Sequence, residues 1–123
     1  MLGSLPIIAF VATTQPDAAQ AFYADVLGLP LKSRDPFALA FDAGGTMLRV
    51  AIVDELEPRP FTVLGWVVPD IEATARQLTQ KGVGFNRYDG MQQDELGIWR
   101  SPSGARIAWF ADPDGNTLSI TQL

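Results

Sequence analysis

Residues 109–120 read WFADPDGNTLSI, and this stretch has the composition of a β-hairpin with a tight turn. Pro113 fixes the backbone φ angle at an early turn position, whereas Gly115 and Asn116 tolerate positive φ. The carboxylate of Asp112 or Asp114 can accept hydrogen bonds from the turn amides. The apolar residues on both sides predict two strands that meet at this turn.

An earlier segment of the chain repeats this hairpin. Residues 42–50, offset by seventy positions, align without a gap with residues 112–120. The alignment pairs Asp42 with Asp112, Gly45 with Gly115, Leu48 with Leu118 and Val50 with Ile120. The dipeptides Pro16-Asp17 and Pro69-Asp70 match in the same order at a different offset. The repetition predicts two modules with the same order of elements.

Each module is predicted to begin with a strand and a helix. The first helix begins near Thr14, where Asp17 completes a capping pattern, and ends at Gly28 in the left-handed conformation. The second helix begins at Pro69-Asp70 and ends at Lys81-Gly82. The predicted strands are residues 5–13, 31–34, 37–42, 46–53, 62–68, 83–88, 97–100, 105–110 and 117–121. The charged, proline-containing residues 54–60 connect two modules, 1–57 and 58–123, of a single domain that spans residues 1–123.

The composition favours a soluble, packed protein. Hydrophobic residues make up 47% of the 123 residues and charged residues 19%, which is typical of globular domains. The longest apolar stretch, residues 5–12, is too short to span a bilayer, and the N-terminus has no secretory signal pattern. We therefore expect a cytoplasmic protein that does not associate with a membrane.

The charged and reactive residues exclude several classes of protein. A net charge of −5 with scattered basic residues disfavours nucleic-acid binding. The absence of cysteine excludes disulfides, thiolate zinc sites and cysteine nucleophiles. The absence of histidine removes imidazole metal ligands, the commonest general base and every Ser-His-Asp arrangement.

Two segments resemble the vicinal oxygen chelate superfamily, which includes glyoxalase I, bleomycin-resistance proteins and extradiol dioxygenases. Residues 21–30, which read AFYADVLGLP, are similar to the end of the first helix of that family, and residues 109–120 are similar to its final hairpin. The resemblance implies an α+β fold in which two β-α-β-β-β modules form a curved mixed sheet around a cavity. It also implies a homodimer whose cavities are shared between the first module of one chain and the second module of the other.

Metal-dependent members of that superfamily hold a divalent metal with His, Glu or Gln side chains at four strand positions. The resemblance places these positions at Ile8, Arg49, Val63 and Ser119. A divalent metal needs several convergent lone-pair donors, which two aliphatic side chains, a guanidinium and a hydroxyl do not provide. We therefore expect no metal and no cofactor, and no metal-dependent glyoxalase or dioxygenase activity.

Strand alternation predicts which side chains line the cavity. If Ile8 faces inward, then Phe10 on the same strand does so too. The predicted ligand-binding residues are Ile8, Phe10, Met47, Arg49, Val63, Gly65, Tyr88, Trp99, Trp109 and Ser119. Residues of the opposite parity, among them Val11, Leu64, Trp66, Leu118 and Ile120, are expected to pack under the helices. An apolar lining with a few polar groups is typical of a small-molecule site.

Several polar residues, in this set or in the loop near it, can be interpreted in two ways. An unpaired and desolvated guanidinium is costly, so Arg49 needs a carboxylate neighbour, open water or an anionic ligand. It either binds a ligand carboxylate or phosphate, or pairs with an acidic residue of a neighbouring strand or of a partner chain. Asp94 and Glu95 are either a general base near the cavity or solvated loop charges. Tyr88 is either a proton donor or a half-buried sheet residue.

These observations predict a protein that binds or sequesters a small organic molecule in an apolar cavity without a metal, as bleomycin-resistance proteins do. The alternative is a metal-independent lyase or isomerase that acts on a small organic acid. Tyr88, Asp94 or Glu95 would then be the acid or base, and Arg49 would stabilise an oxyanion. A structural or regulatory partner domain is a third possibility, and it requires an exposed apolar patch that the sequence does not identify. The sequence leaves open whether the protein is an enzyme and which molecule it binds.

Overall fold

The computed structural model describes all of residues 1–123. Eight strands and two helices follow one another in the order β1-α1-β2-β3-β4-β5-α2-β6-β7-β8. The chain forms two compact units, Met1–Glu57 and Pro58–Leu123. The first unit contains β1 (Ile8–Thr13), α1 (Pro16–Ala21), a π-helical turn (Phe22–Val26), β2 (Leu31–Arg34), β3 (Ala38–Ala43) and β4 (Thr46–Ile52). The second contains β5 (Thr62–Val67), α2 (Ile71–Gln80), β6 (Trp99–Arg100), β7 (Arg106–Ala111) and β8 (Thr117–Gln122). Neither helix has the length and apolarity that crossing a bilayer requires.

The first unit contains a four-stranded mixed sheet with the strand order β1-β4-β3-β2. β1 runs parallel to β4, whereas β3 runs antiparallel to both β4 and β2. One face of this sheet forms the core of the unit, because alternate strand residues point to the same side. The fully buried side chains on this face are Leu39, Phe41, Leu48 and Val50. Tyr23 of the π-helical turn is also fully buried, and its ring centre lies 5.8 Å from that of Phe41.

The start of α1 differs from the predicted capping pattern. The helix begins at Pro16, and Gln15 precedes it as an N-cap without a side-chain hydrogen bond to the helix. Thr13, rather than Thr14, accepts a hydrogen bond through its Oγ1 from the Gln15 backbone N–H at 3.0 Å. Proline has no N–H to satisfy and a φ angle suited to the first helical turn, so the helix starts at Pro16. The end of the helical segment is as predicted, with Gly28 at φ +76°.

The second unit contains a mixed sheet with the order β5-β8-β7-β6, in which β5 runs parallel to β8. The predicted apolar face of α2 is confirmed, since Ile71, Ala75 and Leu78 are all buried. The predicted start of α2 is confirmed as well. The Asp70 carboxylate caps the helix by accepting a hydrogen bond from the backbone N–H of Ala73 at 3.1 Å.

The final hairpin turn is organised by the carboxylate of Asp112, which is only 6% exposed. Its Oδ1 accepts hydrogen bonds from the backbone N–H groups of Asp114 and Asn116 at 3.0 and 2.9 Å. Its Oδ2 accepts a third from the side-chain Nδ2 of Asn116 at 2.9 Å. The chain reverses through Gly115 at φ +88°, and no residue other than glycine has positive φ. Of the two residues that tolerate positive φ, Gly115 alone supplies the left-handed conformation, while Asn116 binds the carboxylate.

The strand predicted at residues 83–88 is not formed. Phe85 makes a single isolated bridge to β7. The side chain of Gln93 takes the hydrogen-bonding positions that a neighbouring strand would use. Its Oε1 accepts from the backbone N–H of Tyr88 at 2.8 Å, and its Nε2 donates to the backbone oxygen of Asn86 at 2.8 Å. A side chain that substitutes for a strand satisfies the backbone locally without extending the ladder.

Candidate functional site

Each sheet has one face that the helix of its own unit does not cover, and we call these the first and second open faces. The first open face consists of Ile8, Phe10, Ala12, Ala38, Ala40, Asp42, Met47, Arg49 and Ala51. The second consists of Gly65, Val67, Trp99, Ile107, Trp109, Ala111, Thr117, Ser119 and Thr121. Directly paired residues of neighbouring strands share a face, so the pairing register defines both sets.

The first open face is apolar apart from two charged residues. Ile8, Phe10 and Met47 are 51%, 59% and 45% exposed. The register places Ile8 beside Met47 and Phe10 beside Arg49. The structure therefore brings these four predicted residues together and provides an exposed apolar patch that the sequence did not identify.

Arg49 is half-buried on this face, and its guanidinium makes no hydrogen bond or ion pair. Its charge nevertheless acts on Asp35, in the turn between β2 and β3. The pKa of the Asp35 carboxyl is lowered, mainly by hydrogen bonds from the backbone N–H groups of Phe37 and Ala38 at 2.7 and 2.9 Å, and to a smaller extent by Arg49. The internal carboxylate expected as a possible partner of Arg49 is thus that of Asp35. It acts on Arg49 as a nearby charge but forms no contact ion pair with it.

The centre of the second open face is a row in which Gly65, Ser119 and Trp109 lie side by side on three neighbouring strands. A Cβ atom added at Gly65 would lie 2.6 Å from the Oγ of Ser119, which is too close for two unbonded atoms. Glycine therefore lets β5 approach β8 at the serine hydroxyl. Val63 lies at a β-bulge of β5 and is 43% exposed.

Three aromatic side chains, Tyr88, Trp109 and Trp99, form what we call the aromatic row. The ring centres of Tyr88 and Trp109 are 5.6 Å apart in an edge-to-face arrangement, and those of Trp109 and Trp99 are 6.0 Å apart. The Tyr88 hydroxyl accepts a hydrogen bond from Nδ2 of Asn86 at 3.2 Å. The row offers adjacent aromatic surfaces of the kind on which a flat ligand can stack.

A cleft of about 330 Å³ adjoins the aromatic row, which is the size of a small-molecule site. Its lining consists of Pro60, Phe61, Thr62, Tyr88, Met91, Trp109 and Thr117. The sequence identified Tyr88 and Trp109 as candidate ligand contacts but missed Phe61, Thr62 and Met91. Phe61 precedes β5, and Met91 lies in the loop between α2 and β6, among mostly polar residues. An apolar residue inside an otherwise polar loop is the one signal that could have pointed to Met91.

The acidic loop residues proposed as a general base have structural partners. Oδ1 of Asp94 accepts hydrogen bonds from the backbone N–H groups of Leu96 and Ile98, both at 2.9 Å. The Arg87 guanidinium donates to the backbone oxygens of Asp94 and Glu95. Neither acid lines the cleft. Asp94 therefore stabilises its own loop.

A profile of the Glyoxalase/Bleomycin resistance protein/Dioxygenase superfamily matches residues 7–120. The chain belongs to this superfamily. The resemblance seen in residues 21–30 and 109–120 is thereby confirmed. The α+β fold class is confirmed too, as two four-stranded mixed sheets with two helices.

Solved structures share the fold at low sequence identity. Lactoylglutathione lyase from Agrobacterium tumefaciens is 18% identical with a TM-score of 0.74, over 97% of this chain and 93% of that one. A bleomycin resistance determinant encoded on the transposon Tn5 is 22% identical with a TM-score of 0.75, over 94% and 95%. TnmS3, an antibiotic-binding protein from Streptomyces sp. CB03234, is 22% identical with a TM-score of 0.70, over 99% and 98%. No curated protein sequence matches the chain.

The side chains at the four positions that the superfamily resemblance assigns to a divalent metal do not fit one. Ile8 and Val63 carry no donor atom, and Arg49 carries a positive charge. Ser119 offers a single hydroxyl oxygen. No group of three or more acidic side chains in residues 1–123 is placed to hold a metal ion. A divalent ion binds through several carboxylate, imidazole, thiolate or carbonyl donors, which this set lacks.

Proposed function

We propose that this member of the superfamily binds a small, planar, uncharged organic molecule at the aromatic row and its cleft, without a metal ion. The observation that carries the proposal is the aromatic row beside a cleft of about 330 Å³. Aromatic rings can stack on a flat ligand, and the hydroxyls of Thr62 and Thr117 can supply the few directional hydrogen bonds that orient it.

The absence of charged side chains from the cleft lining favours an uncharged ligand. No ionised side chain lines the cleft, so a charged ligand would lose its hydration without gaining a counter-charge. One structural relative is an antibiotic-binding protein and another is a bleomycin resistance determinant. The antibiotic-binding relative supports a role in binding an organic molecule, whereas lactoylglutathione lyase, which has the same fold, keeps an enzyme as the second candidate.

Tryptophan fluorescence tests this proposal, because Trp109 belongs to the aromatic row whereas Trp66 lies on the opposite face of β5. A panel of aromatic antibiotics and other flat, neutral molecules should quench the fluorescence saturably in the wild type and in the control variant Trp66→Phe. Trp109→Phe should lose part of the quenching, and the double variant Trp99→Phe/Trp109→Phe should lose most of it. Trp109→Ala should weaken binding about tenfold in calorimetric titration, the loss expected for one aromatic contact. Equal affinities of Trp109→Ala and the wild type would contradict the proposal, as would loss of binding after dialysis against EDTA.

A metal-independent lyase or isomerase acting on a small organic acid is the second candidate. The observation that favours it is Tyr88, which lines the cleft and whose hydroxyl is oriented by a hydrogen bond from Asn86. A phenol can donate or accept a proton, but no carboxylate lines the cleft to serve as the second group. Tyr88→Phe separates the two candidates, since it should leave the binding of a neutral ligand largely unchanged and would abolish turnover by an enzyme.

We infer from the superfamily resemblance that the chain acts as a homodimer. The second open face supports this inference, because Val67 is 71% exposed. Covering such apolar surface with a second copy would be favourable by the hydrophobic effect.

A further inference from the structure

The first open face carries one guanidinium, that of Arg49, at the centre of β4. Its direct neighbours are Phe10 on β1 and Ala40 on β3. Side chains of directly paired residues lie on the same side of a sheet, so the cation shares an apolar surface with these two residues. The second open face differs from the first, because its central row of Gly65, Ser119 and Trp109 contains no charged side chain.

Arg49 also differs from two other partly exposed arginines. Arg34 and Arg106, whose side chains are 35% and 25% exposed, each form an ion pair with a carboxylate, at 2.8 and 3.2 Å. Arg49 forms none, and Asp35 acts on it without contact. Oδ1 of Asp35 already accepts two backbone hydrogen bonds. The donors of the Arg49 guanidinium are therefore available to a ligand.

A second cation lies close to this surface. A cleft of about 230 Å³ on the same face is lined by Lys32, Ala40, Phe41, Asp42, Gly45 and Met47. An irregularity in the pairing of β2 with β3 occurs at Lys32. Ala40 pairs with Ser33 on β2 and with Arg49 on β4, and Lys32 lies in the irregularity next to Ser33. The one acid of the cleft, Asp42, uses its Oδ1 to accept a hydrogen bond from the backbone N–H of Gly45 at 2.8 Å.

We propose that the first open face binds the carboxylate of a small organic acid. Arg49 donates two N–H groups to the two carboxylate oxygens, and Lys32 adds a second positive charge. The apolar part of the acid lies against Phe10 and Met47. A planar guanidinium matches a carboxylate in this bidentate geometry, and apolar surroundings strengthen charge-assisted hydrogen bonds. This site lies in the first unit and selects for negative charge, so it is additional to the neutral-ligand site proposed for the second unit.

Calorimetric titration with 1-naphthoate and with its uncharged analogue 1-naphthamide tests this site, because the two probes differ chiefly in charge. In the Trp109→Ala background, which removes an aromatic contact of the neutral-ligand site, naphthoate should bind at least about tenfold more tightly than naphthamide, as expected for a bidentate charge-assisted contact. Arg49→Gln should abolish the preference, and Arg49→Lys should retain part of it, because lysine supplies the charge without the fork. The matched control is Arg76→Gln, which removes the same charge from an exposed position on α2 and should leave the preference unchanged.

Chemical-shift mapping locates the bound probe. Naphthoate should shift the backbone amide signals of Phe10 and Ala40, whereas a neutral ligand of the second unit should shift the indole N–H signal of Trp109. Equal affinities for the acid and the amide in the Trp109→Ala background would overturn the anion site. Equal losses of preference in Arg76→Gln and Arg49→Gln would overturn it as well, since net charge would then explain the effect. Neither result bears on binding at Trp109, so each proposal can fail alone.

Discussion

Asp35 shows how one backbone turn can control the charge of a side chain. The N–H groups of Phe37 and Ala38 both donate to its Oδ1 and hold its pKa below the ordinary value of 3.8. Arg49 lowers that pKa further, but it contributes less than the two backbone hydrogen bonds. Hydrogen bonds to the ionised form are a purely local effect, so they persist even though this carboxyl is exposed.

A carboxyl-detected NMR titration should therefore find that Asp35 titrates below 3.8 in the folded protein. Since its folded pKa is depressed, the stability that its ionised form contributes is present above the unfolded pKa. That contribution is lost as the pH falls through the folded value. Arg49→Gln should raise the pKa only slightly, because the backbone hydrogen bonds remain. A folded pKa at or above the ordinary value would contradict this account.

Arg49 also shows what the sequence could predict about a residue and what it could not. Strand alternation placed Arg49 on the same face as Ile8 and Phe10, and the pairing register agrees. Whether an acid contacts the guanidinium depends on which turn lies nearby, and this is a tertiary property. The sequence could therefore only name a ligand anion and an acidic residue of the protein as alternative partners of Arg49. In the structure its guanidinium forms no contact ion pair.

The two β-hairpins that repeat in the sequence differ in how they are stabilised. Asp112 is nearly buried and accepts three hydrogen bonds, whereas its counterpart Asp42 is half-exposed and accepts one, from the backbone N–H of Gly45. Loss of a buried acceptor leaves several donors unpaired, while water replaces an exposed one. The same residue type at matching positions is therefore expected to contribute unequally to stability.

Asp112→Ala should lower the free energy of unfolding by about 2–3 kcal/mol, and Asp42→Ala by about 0.5–1 kcal/mol. Urea unfolding followed by circular dichroism measures both, with unchanged m-values as the check that each variant still unfolds in one step. The two variants serve as controls for each other, because they remove the same side chain from equivalent turns. Similar losses in both would show that burial of Asp112 does not determine its contribution.

Elements were predictable where a local signal agreed with the tertiary environment. The start of α2 follows from Asp70 and from the spacing of the apolar residues behind it. The start of α1 was misplaced because Pro16, rather than a capping threonine, fixes it. The strand expected at residues 83–88 failed because the side chain of Gln93 binds its backbone, and no propensity of the segment itself reveals that. Strand alternation likewise gives no orientation for Met91, which lies in a loop.

The two units of the molecule share one architecture but differ in the residues of their open faces. Both units place a β-α-β-β-β arrangement around the same alternation of buried residues, so the sequence repeat predicted two modules of the same order and the family resemblance supplied their fold. The open faces are free of that packing constraint and have diverged. The first has a cation among aliphatic residues and Phe10, and the second has the aromatic row. Ligand chemistry could not be predicted from the fold, because function depends on the residues that packing leaves unspecified.

The apolar side chains on these open faces lead to a prediction about assembly. Light scattering coupled to size-exclusion chromatography should give about twice the chain mass of 13.3 kDa at micromolar concentration. Val67→Glu should shift the protein toward the monomer, because it places a charge on an apolar position that is 71% exposed in the single chain. Gln77→Glu adds the same charge to the exposed side of α2 and should leave the mass unchanged. A 13.3 kDa species in the wild type would contradict the homodimer, and equal effects of the two variants would show that added charge, rather than the open face, controls association.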